Sequence, residues 1–354
     1  MTRFADRVIP TGICDSDRSA WLAARRQYVT ASSVAAILGL DQARGALDVY
    51  AEHVAPPSPE GDSVDLFDRR VWGKALERSV LETAAKAYGW QVGGGGELLV
   101  SRQHGWLGAT LDAEILSAGC SQWLVYEGKC VDLYRARDWD EEHGLPPDRV
   151  LCQAQTQLLV TGAPVCVVFA LIGGNRPCRI DVTPDAELQQ LIVEATHEFW
   201  DRIQTLSPPP ADWRSRDALK RLYPQESGES IELSAEAAEW TAELQELSAK
   251  RLACERREDE LKNLLRATLG HASYGLLPCE VAGKSVWKCV TEERKSYTVA
   301  ASSSRALRLV KSLPKAATMR RPPELCEPSP VCDLSAQLMA SSEADNKEAS
   351  VGNR

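Results

Sequence analysis

The sequence lacks the segments that mark exported and membrane proteins. Its first residues, MTRFADRVIP, contain no apolar core of the kind found in signal peptides. The most apolar stretch, Leu158 to Ile172, is interrupted by Gly162 and Pro164 and is too short to cross a bilayer. We therefore expect a cytoplasmic chain that does not bind a membrane.

Closely spaced cysteines and histidines are also missing. The chain has 11 cysteines, an odd number, and none falls in a CxxC or CxxH pattern. Without a signal peptide, these cysteines are expected to be reduced and mostly buried. The five histidines show no paired spacing either. The sequence thus argues against a structural zinc site and against an iron–sulfur cluster.

An excess of positive charge is the third missing feature. The formal net charge is −9, which argues against a protein that coats DNA with a basic surface. It leaves open an enzyme that holds divalent cations with acidic side chains. In such a site the bound cations restore a positive potential where phosphate binds.

The 354 residues divide into three regions. Helix-like and strand-like patterns alternate over residues 1–206, up to a run of three prolines. Residues 207–310 contain a charged helix from Ser234 to Leu269, typical of a solvated helix or a short coiled coil, and a hairpin around Gly283. Residues 311–354 are rich in Pro, Ser, Ala and charge and are predicted to be disordered.

Periodicity within the first region predicts an α/β fold, with a small mixed sheet flanked by helices. A helix–turn–helix over Trp21 to Leu40 and an amphipathic helix over Trp72 to Gly89 are expected first. The remaining predicted helices cover 150–161 and 186–203, and the predicted strands cover 97–100, 107–111, 115–116, 123–130, 165–172 and 179–182.

Polar residues that suit a metal site occur along this region in the order Glu77, Asp112, Glu127, Lys129, Gln153. Strand alternation places Glu127 and Lys129 on one face, with Gly128 pointing away. A carboxylate and an ammonium together on a largely apolar strand are costly unless they serve a site or are well solvated. An aspartate from the preceding hairpin turn, Asp112, can reach the same face.

Asp112 and Glu127 offer the hard oxygen ligands that Mg²⁺ prefers, and Lys129 can orient a water beside them. The motif alone is weak, because an Asp followed by ExK occurs by chance. The simpler alternative is that Glu127 and Lys129 lie on the solvated face of an edge strand. Structural alternatives exist for the other residues too: Glu77 as a surface residue, Asp112 as a turn former, and Thr30 to Ser33 as a helix cap.

Five segments in order add specificity. They are Trp21 to Arg26 with Thr30 to Gly39, Trp72-Gly73 with Glu77, Ala109-Thr110-Leu111-Asp112-Ala113, Glu127-Gly128-Lys129-Cys130, and Gln153 to Gly162 (QAQTQLLVTG). Together they resemble the lambda-exonuclease/YqaJ-like viral recombinase family, a branch of the PD-(D/E)xK nucleases. The resemblance covers about Trp21 to Ile203 and implies a restriction-endonuclease-like core with a C-terminal helical appendage.

The resemblance also implies roles for individual residues. Asp112 and Glu127 would be metal ligands, joined by the carbonyl of Gly128, and Lys129 would be the catalytic lysine. Glu77 would support a second metal or its waters, Gln153 would contact the metal-bound water or phosphate, and Arg25 and Ser32 would line a pocket for a 5′-phosphate. Two departures stand out: Gly128 replaces the usual β-branched residue, and Ala113 replaces a glycine.

The implied activity is a Mg²⁺-dependent DNA exonuclease, with two ions and with Mn²⁺ as a substitute. It would act 5′ to 3′ from the ends of linear duplex DNA in phage-type recombination. A homotrimer and a single-strand annealing protein as partner are implied on the same grounds, in a bacterial or phage-infected cell. The alternatives are a structure-specific or nicking endonuclease on the same core, and an inactive DNA-end-binding scaffold.

The tryptophans are predicted to lie mainly in the core. Trp139 differs, because it follows the predicted strand in the polar segment Asp138 to Asp148. That position is compatible with an exposed side chain in a DNA-contacting loop.

Overall fold

The computed structural model describes residues 2–56, 69–140, 142–282, 284–291 and 318–320. They fall into two compact units, one comprising the described residues up to Pro224 and the other those from Gln225 onward. Among the described residues, no helix is both long and apolar enough to cross a membrane.

The first unit contains nine strands and seven helices among its described residues. The strands are β1 (Val8–Cys14), β2 (Val29–Thr30), β3 (Gln91–Val92), β4 (Glu97–Ser101), β5 (Leu107–Thr110), β6 (Ala113–Leu116), β7 (Leu124–Val131), β8 (Cys166–Ile172) and β9 (Arg176–Val182). The helices are α1 (Arg18–Arg25), α2 (Val34–Ile37), α3 (Ala46–Val54), α4 (Arg69–Tyr88), α5 (Asp148–Thr161), α6 (Ala186–Gln204) and α7 (Arg216–Leu222).

Two mixed sheets organise these strands. The first has the order β1-β4-β5-β2 and the second β3-β6-β7-β8-β9. In the second sheet only β7 and β8 are parallel, and α5 is the helix that connects them. Leu111 and Asp112 join β5 of the first sheet to β6 of the second. Asp112 therefore lies where the chain passes from one sheet to the other.

Strand β7 separates two layers of core. Val125 lies on the face that packs with α5 and α6, in the larger hydrophobic cluster. Tyr126, one residue later, belongs to a second cluster that includes Ala84 and Ala85 of α4. By alternation, Glu127 and Lys129 belong to the α5 face. Gly128 belongs to the α4 face.

The α/β prediction is confirmed, since mixed sheets flanked by helices form the first unit. Every strand predicted from periodicity is present within a few residues. Five elements of the first unit were not predicted: β1, β2, β3, α3 and α7. The β1 sequence VIPTGIC contains Pro10 and Gly12, which weaken a strand signal, and its pairing with β4 supplies what the local sequence does not.

The second unit contains β10 (Glu229–Ile231), α8 (Ala235–Leu269), β11 (Tyr274–Val281), β12 (Lys284–Lys288) and β13 (Thr318–Arg320). The predicted charged helix is α8, and the Ser234 side chain caps it by accepting from the amide of Ala237. The predicted hairpin is the antiparallel pair β11–β12. Its turn residue Gly283 lies outside the described residues.

The predicted division at residues 206 and 310 stays a prediction. Apart from β13, the tail predicted over 311–354 lies outside the described residues.

Two expectations for side chains are wrong. Trp139 is buried, because the chain turns inward after β7 and packs it into the larger cluster. Trp72, expected on the buried face of α4, is 59% exposed. The polar segment around Trp139 does not reveal whether the chain packs onto the core after the strand, so the burial of Trp139 could not be predicted from it.

The expected helix cap at Thr30 to Ser33 is also absent. A 3₁₀ turn (Ala31–Ser33) precedes the four-residue α2, and neither Thr30 nor Ser33 caps with its side chain. The hydroxyls of Thr30 and Ser32 have another partner, described below.

Candidate active site

All eight residues predicted for the site line one cleft of about 630 Å³ in the first unit. They are Arg25, Ser32, Glu77, Asp112, Glu127, Gly128, Lys129 and Gln153. These residues come from α1, the turn before α2, α4, the β5–β6 link, β7 and α5. The fold therefore brings together side chains that are up to 128 positions apart in the sequence.

One side of the cleft, here called the carboxylate wall, consists of Asp112, Glu127, Lys129 and Gln153, together with Gln157, which is buried against Glu127. Lys129 Nζ donates to Glu127 Oε1 and, at 3.1 Å, to Gln153 Oε1. Gln153 Nε2 in turn donates to Glu127 Oε1 at 2.7 Å. The three side chains thus form a closed hydrogen-bonded set between β7 and α5.

Gln157 was not among the predicted site residues. It is fully buried one helical turn after Gln153, and its Nε2 donates to Glu127 Oε2 at 2.6 Å. The signal that could have identified it is the spacing of four residues, which places both glutamines on one face of α5. Gln157 fixes the carboxylate oxygen that Lys129 and Gln153 do not contact.

Asp112 occupies the edge of the sheet beside β7. The β6–β7 ladder ends at the pair Ala113–Tyr126, so the amide of Gly128 has no strand partner on this side. That amide donates to Asp112 Oδ2 at 2.8 Å. Burial raises the pKa of Asp112 well above its ordinary value, and the negative charge of Glu127 raises it further. Two carboxylates in low dielectric repel each other unless a cation lies between them.

Lys129 supplies part of that positive charge. Burial acts to lower the pKa of its ammonium, but the charges of Glu127 and Asp112 outweigh burial, and the pKa is raised. Lys129 is therefore held as a cation beside the two carboxylates.

Glu77 lies across the cleft on α4 and is half-buried. Lys74, one turn earlier, contacts both Glu77 at 3.0 Å and Asp15 at 2.6 Å. Neither Lys74 nor Asp15 was predicted as a site residue, although both line the cleft. Asp15 follows β1, which the sequence pattern did not reveal, so its approach to α4 could not be foreseen.

The donor set fits a hard divalent cation. Oδ1 of Asp112 makes no hydrogen bond within the described residues, and Glu127 accepts three bonds where a carboxylate can accept about four. No group of three or more His, Cys, Asp and Glu side chains forms a metal cage in that part of the chain. Two carboxylates with an added carbonyl suit Mg²⁺, because Mg²⁺ keeps several of its waters.

A second part of the cleft lining, here called the arginine wall, consists of Trp21, Arg25, Thr30 and Ser32. Arg25 Nη2 donates to Thr30 Oγ1 at 2.8 Å and to Ser32 Oγ at 2.7 Å. Its guanidinium carbon lies 4.4 Å from the centre of the Trp21 ring. Burial lowers the pKa of Arg25 to about 10, so it stays charged at neutral pH.

The arginine wall is joined to the strand that leads to Asp112. Trp21 Nε1 donates to Thr110 Oγ1 at 3.2 Å, two residues before that aspartate. Within the described residues, the Nε and Nη1 donors of Arg25 have no protein acceptor. A guanidinium fixed by its neighbours, with donors left over, is suited to binding an anion.

Comparison with solved structures finds exonucleases of low sequence identity. An alkaline exonuclease (LHK-Exo) from Laribacter hongkongensis is 20% identical with a TM-score of 0.41, over 53% of this chain and 93% of that one. A phage related exonuclease from Haemophilus somnus 129PT is 13% identical with a TM-score of 0.35, over 52% of this chain and 99% of that one.

The "Uncharacterized protein YqaJ" of Bacillus subtilis (strain 168) is 24% identical over 287 residues, which is 79% of this chain and 86% of the relative. The family model for the YqaJ-like viral recombinase domain matches residues 20–164, a span that holds every predicted site residue from Arg25 to Gln153. Over residues 20–164 this chain is therefore similar to the YqaJ-like viral recombinase domain.

Proposed function

We propose that this chain is a Mg²⁺-dependent exonuclease that degrades linear duplex DNA from its ends, 5′ to 3′, in phage-type recombination. The observation that carries the proposal is that Asp112, Lys129 and the buried Glu127 line one cleft within the matched recombinase domain. The exonuclease names of the structural relatives agree with it.

Asp112 and Glu127 would hold the cation, with the carbonyl of Gly128 as a third oxygen. When bound, Mg²⁺ neutralises charge on the scissile phosphate and activates water for attack. Lys129, kept cationic by the two carboxylates, would orient that water and offset the charge that builds up on the phosphate. Gln153 and Gln157 hold the carboxylate of Glu127 in one orientation, so little reorganisation is needed.

The arginine wall would bind the terminal phosphate of the DNA strand. Arg25 has donors to spare, and the Ser32 hydroxyl is exposed to the cleft. An arginine fork matches the geometry of a phosphate. End recognition and bond cleavage would thus belong to two parts of one cleft, which suits the removal of nucleotides from an end.

The test uses the full chain and linear duplex DNA labelled at either end, with Mg²⁺ or EDTA. We expect nucleotide release from 5′ ends that stops in EDTA and falls about 10²- to 10⁴-fold in Lys129→Ala. Lys86→Ala, on the last turn of α4, is the matched control and should leave the rate unchanged.

Covalently closed circular DNA separates the alternatives. Cleavage of the circle would replace the proposal with an endonuclease. No cleavage of either substrate, together with Mg²⁺-independent end binding, would leave a DNA-end-binding scaffold.

A further inference from the structure

The hydroxyl of Tyr126 is buried without a partner. The side chain is fully buried in the cluster under α4, with its ring centre 6.1 Å from that of Trp90 and 6.4 Å from that of Phe169. Its Oη makes no hydrogen bond within the described residues. A phenylalanine would make the same ring contacts without burying an unsatisfied polar atom, so packing alone does not account for the tyrosine.

The position of this hydroxyl is next to the proposed metal ligands. A Cβ placed on Gly128 would lie 3.4 Å from Tyr126 Oη and 3.6 Å from Asp112 Oδ2. The hydroxyl and the carboxylate therefore border the same methyl-sized space. The backbone of Gly128 does not require glycine, because its φ lies outside the left-handed region. The effect of glycine here is to leave that space open.

The hydrogen bonds made on the two faces of β7 then involve different carboxylates. Lys129, Gln153 and Gln157 contact Glu127 on the α5 face, and none of them donates to Asp112. Asp112 has only the amide of Gly128 as a donor within the described residues. Tyr126 lies on the α4 face, where its hydroxyl can supply a second donor to this carboxylate.

We propose that the Tyr126 hydroxyl positions Asp112 for the divalent cation, by donating to its carboxylate directly or through one water in the space beside Gly128. The inference rests on the proposed function, since it assumes that Asp112 is a cation ligand. Tyr126 is a positioning residue and touches neither the cation nor the DNA. Outer hydrogen-bond partners of metal ligands typically change metal affinity about 10- to 100-fold.

The experiment measures binding of Mn²⁺ alone to the full chain, by electron paramagnetic resonance of the free ion. We expect Tyr126→Phe to raise the Kd for Mn²⁺ about 10-fold. Without metal its melting temperature should equal or exceed that of the wild type, because an orphan hydroxyl has been removed. Tyr88→Phe, the same change at a tyrosine that is 43% exposed on α4, is the matched control and should bind as the wild type does.

A second variant, Gly128→Ala, tests the role of the open space beside Gly128. In Gly128→Ala the added Cβ would lie 3.3 Å from the Tyr126 ring, which a shift of a few tenths of an ångström relieves. We expect weaker Mn²⁺ binding, and the double variant with Tyr126→Phe should bind no worse than the weaker single variant. Additive losses would show that the two changes act independently and would overturn the inference.

Asp112→Asn distinguishes a failure of the inference about Tyr126 from a failure of the proposed function. If it abolishes Mn²⁺ binding while Tyr126→Phe binds as the wild type does, the inference fails and the proposed function stands. If the wild type does not bind Mn²⁺, or Asp112→Asn binds it equally well, both fail.

Discussion

The carboxylate wall and the arginine wall face the same cleft but differ in construction. The carboxylate wall is built on the eight-residue β7 and the 14-residue α5, and its glutamate is 1% exposed. The arginine wall is built on the eight-residue α1, the two-residue β2 and a single 3₁₀ turn, with Ser32 exposed. The carboxylate wall has a fully buried centre in Glu127, and the arginine wall ranges from the buried Thr30 to the exposed Ser32.

The difference follows from what each wall must hold. Charged groups that stay close together without solvent need fixed partners, and Glu127 has three donors from a strand and a helix. A group that receives a charged substrate must keep donors free, as Arg25 does. We therefore expect substitutions in the two walls to have different effects on the protein.

The largest effect is expected from Asp112→Asn. Removing this charge eliminates a proposed cation ligand, so DNA cleavage should fall on the order of 10³-fold or more, comparable to the loss of a main electrostatic catalyst. The metal-free protein should melt at a higher temperature than the wild type, because the repulsion between Asp112 and Glu127 is gone. Calorimetry in EDTA and a nuclease assay in Mg²⁺ measure the two changes. A lower melting temperature in EDTA would contradict the account of the carboxylate pair.

An intermediate effect is expected from Arg25→Gln. Loss of charged hydrogen bonds to a terminal phosphate, about 1.5–3 kcal/mol, should lower kcat/KM on 5′-phosphorylated ends about 10- to 100-fold. DNA with 5′-hydroxyl ends should be cut at an unchanged rate, and Mn²⁺ binding should be unaffected. Arg78→Gln, at an exposed arginine paired with Glu82, is the control. An equal loss on both kinds of end would place Arg25 outside end recognition.

The smallest effect is expected from Gln157→Met. The buried Glu127 keeps Lys129 and Gln153 as donors but loses the bond to Oε2, so the affinity for Mn²⁺ should fall about 10-fold. The free energy of unfolding in urea should fall by about 1–3 kcal/mol, since a buried acceptor is left without its partner. Gln190→Met, at a glutamine that pairs with Glu194 on the surface of α6, is the control. An unchanged free energy of unfolding would show that another donor replaces Gln157.

Predictability from the sequence also differs between the walls. Glu127 and Lys129 were placed on one face because side chains two positions apart on a strand share a face, which is a local property, and both lie in β7. Gln157 has a local signal too, its spacing from Gln153. The hydrogen bonds of Arg25 were not predicted, because Thr30 to Ser33 match the pattern of a helix cap while the structure turns the hydroxyls of Thr30 and Ser32 to the guanidinium.

The sequence by itself determined most of the strands and helices around the site, the family resemblance, and which side chains share a face of a strand or helix. These follow from backbone periodicity and from motif spacing, both of which act over a few residues. Only the tertiary structure decided that Asp15 reaches Lys74, that Trp139 is buried, and that Tyr126 lies beside the space at Gly128. Such contacts depend on how sheets and helices pack at long sequence separation, and no local pattern encodes them.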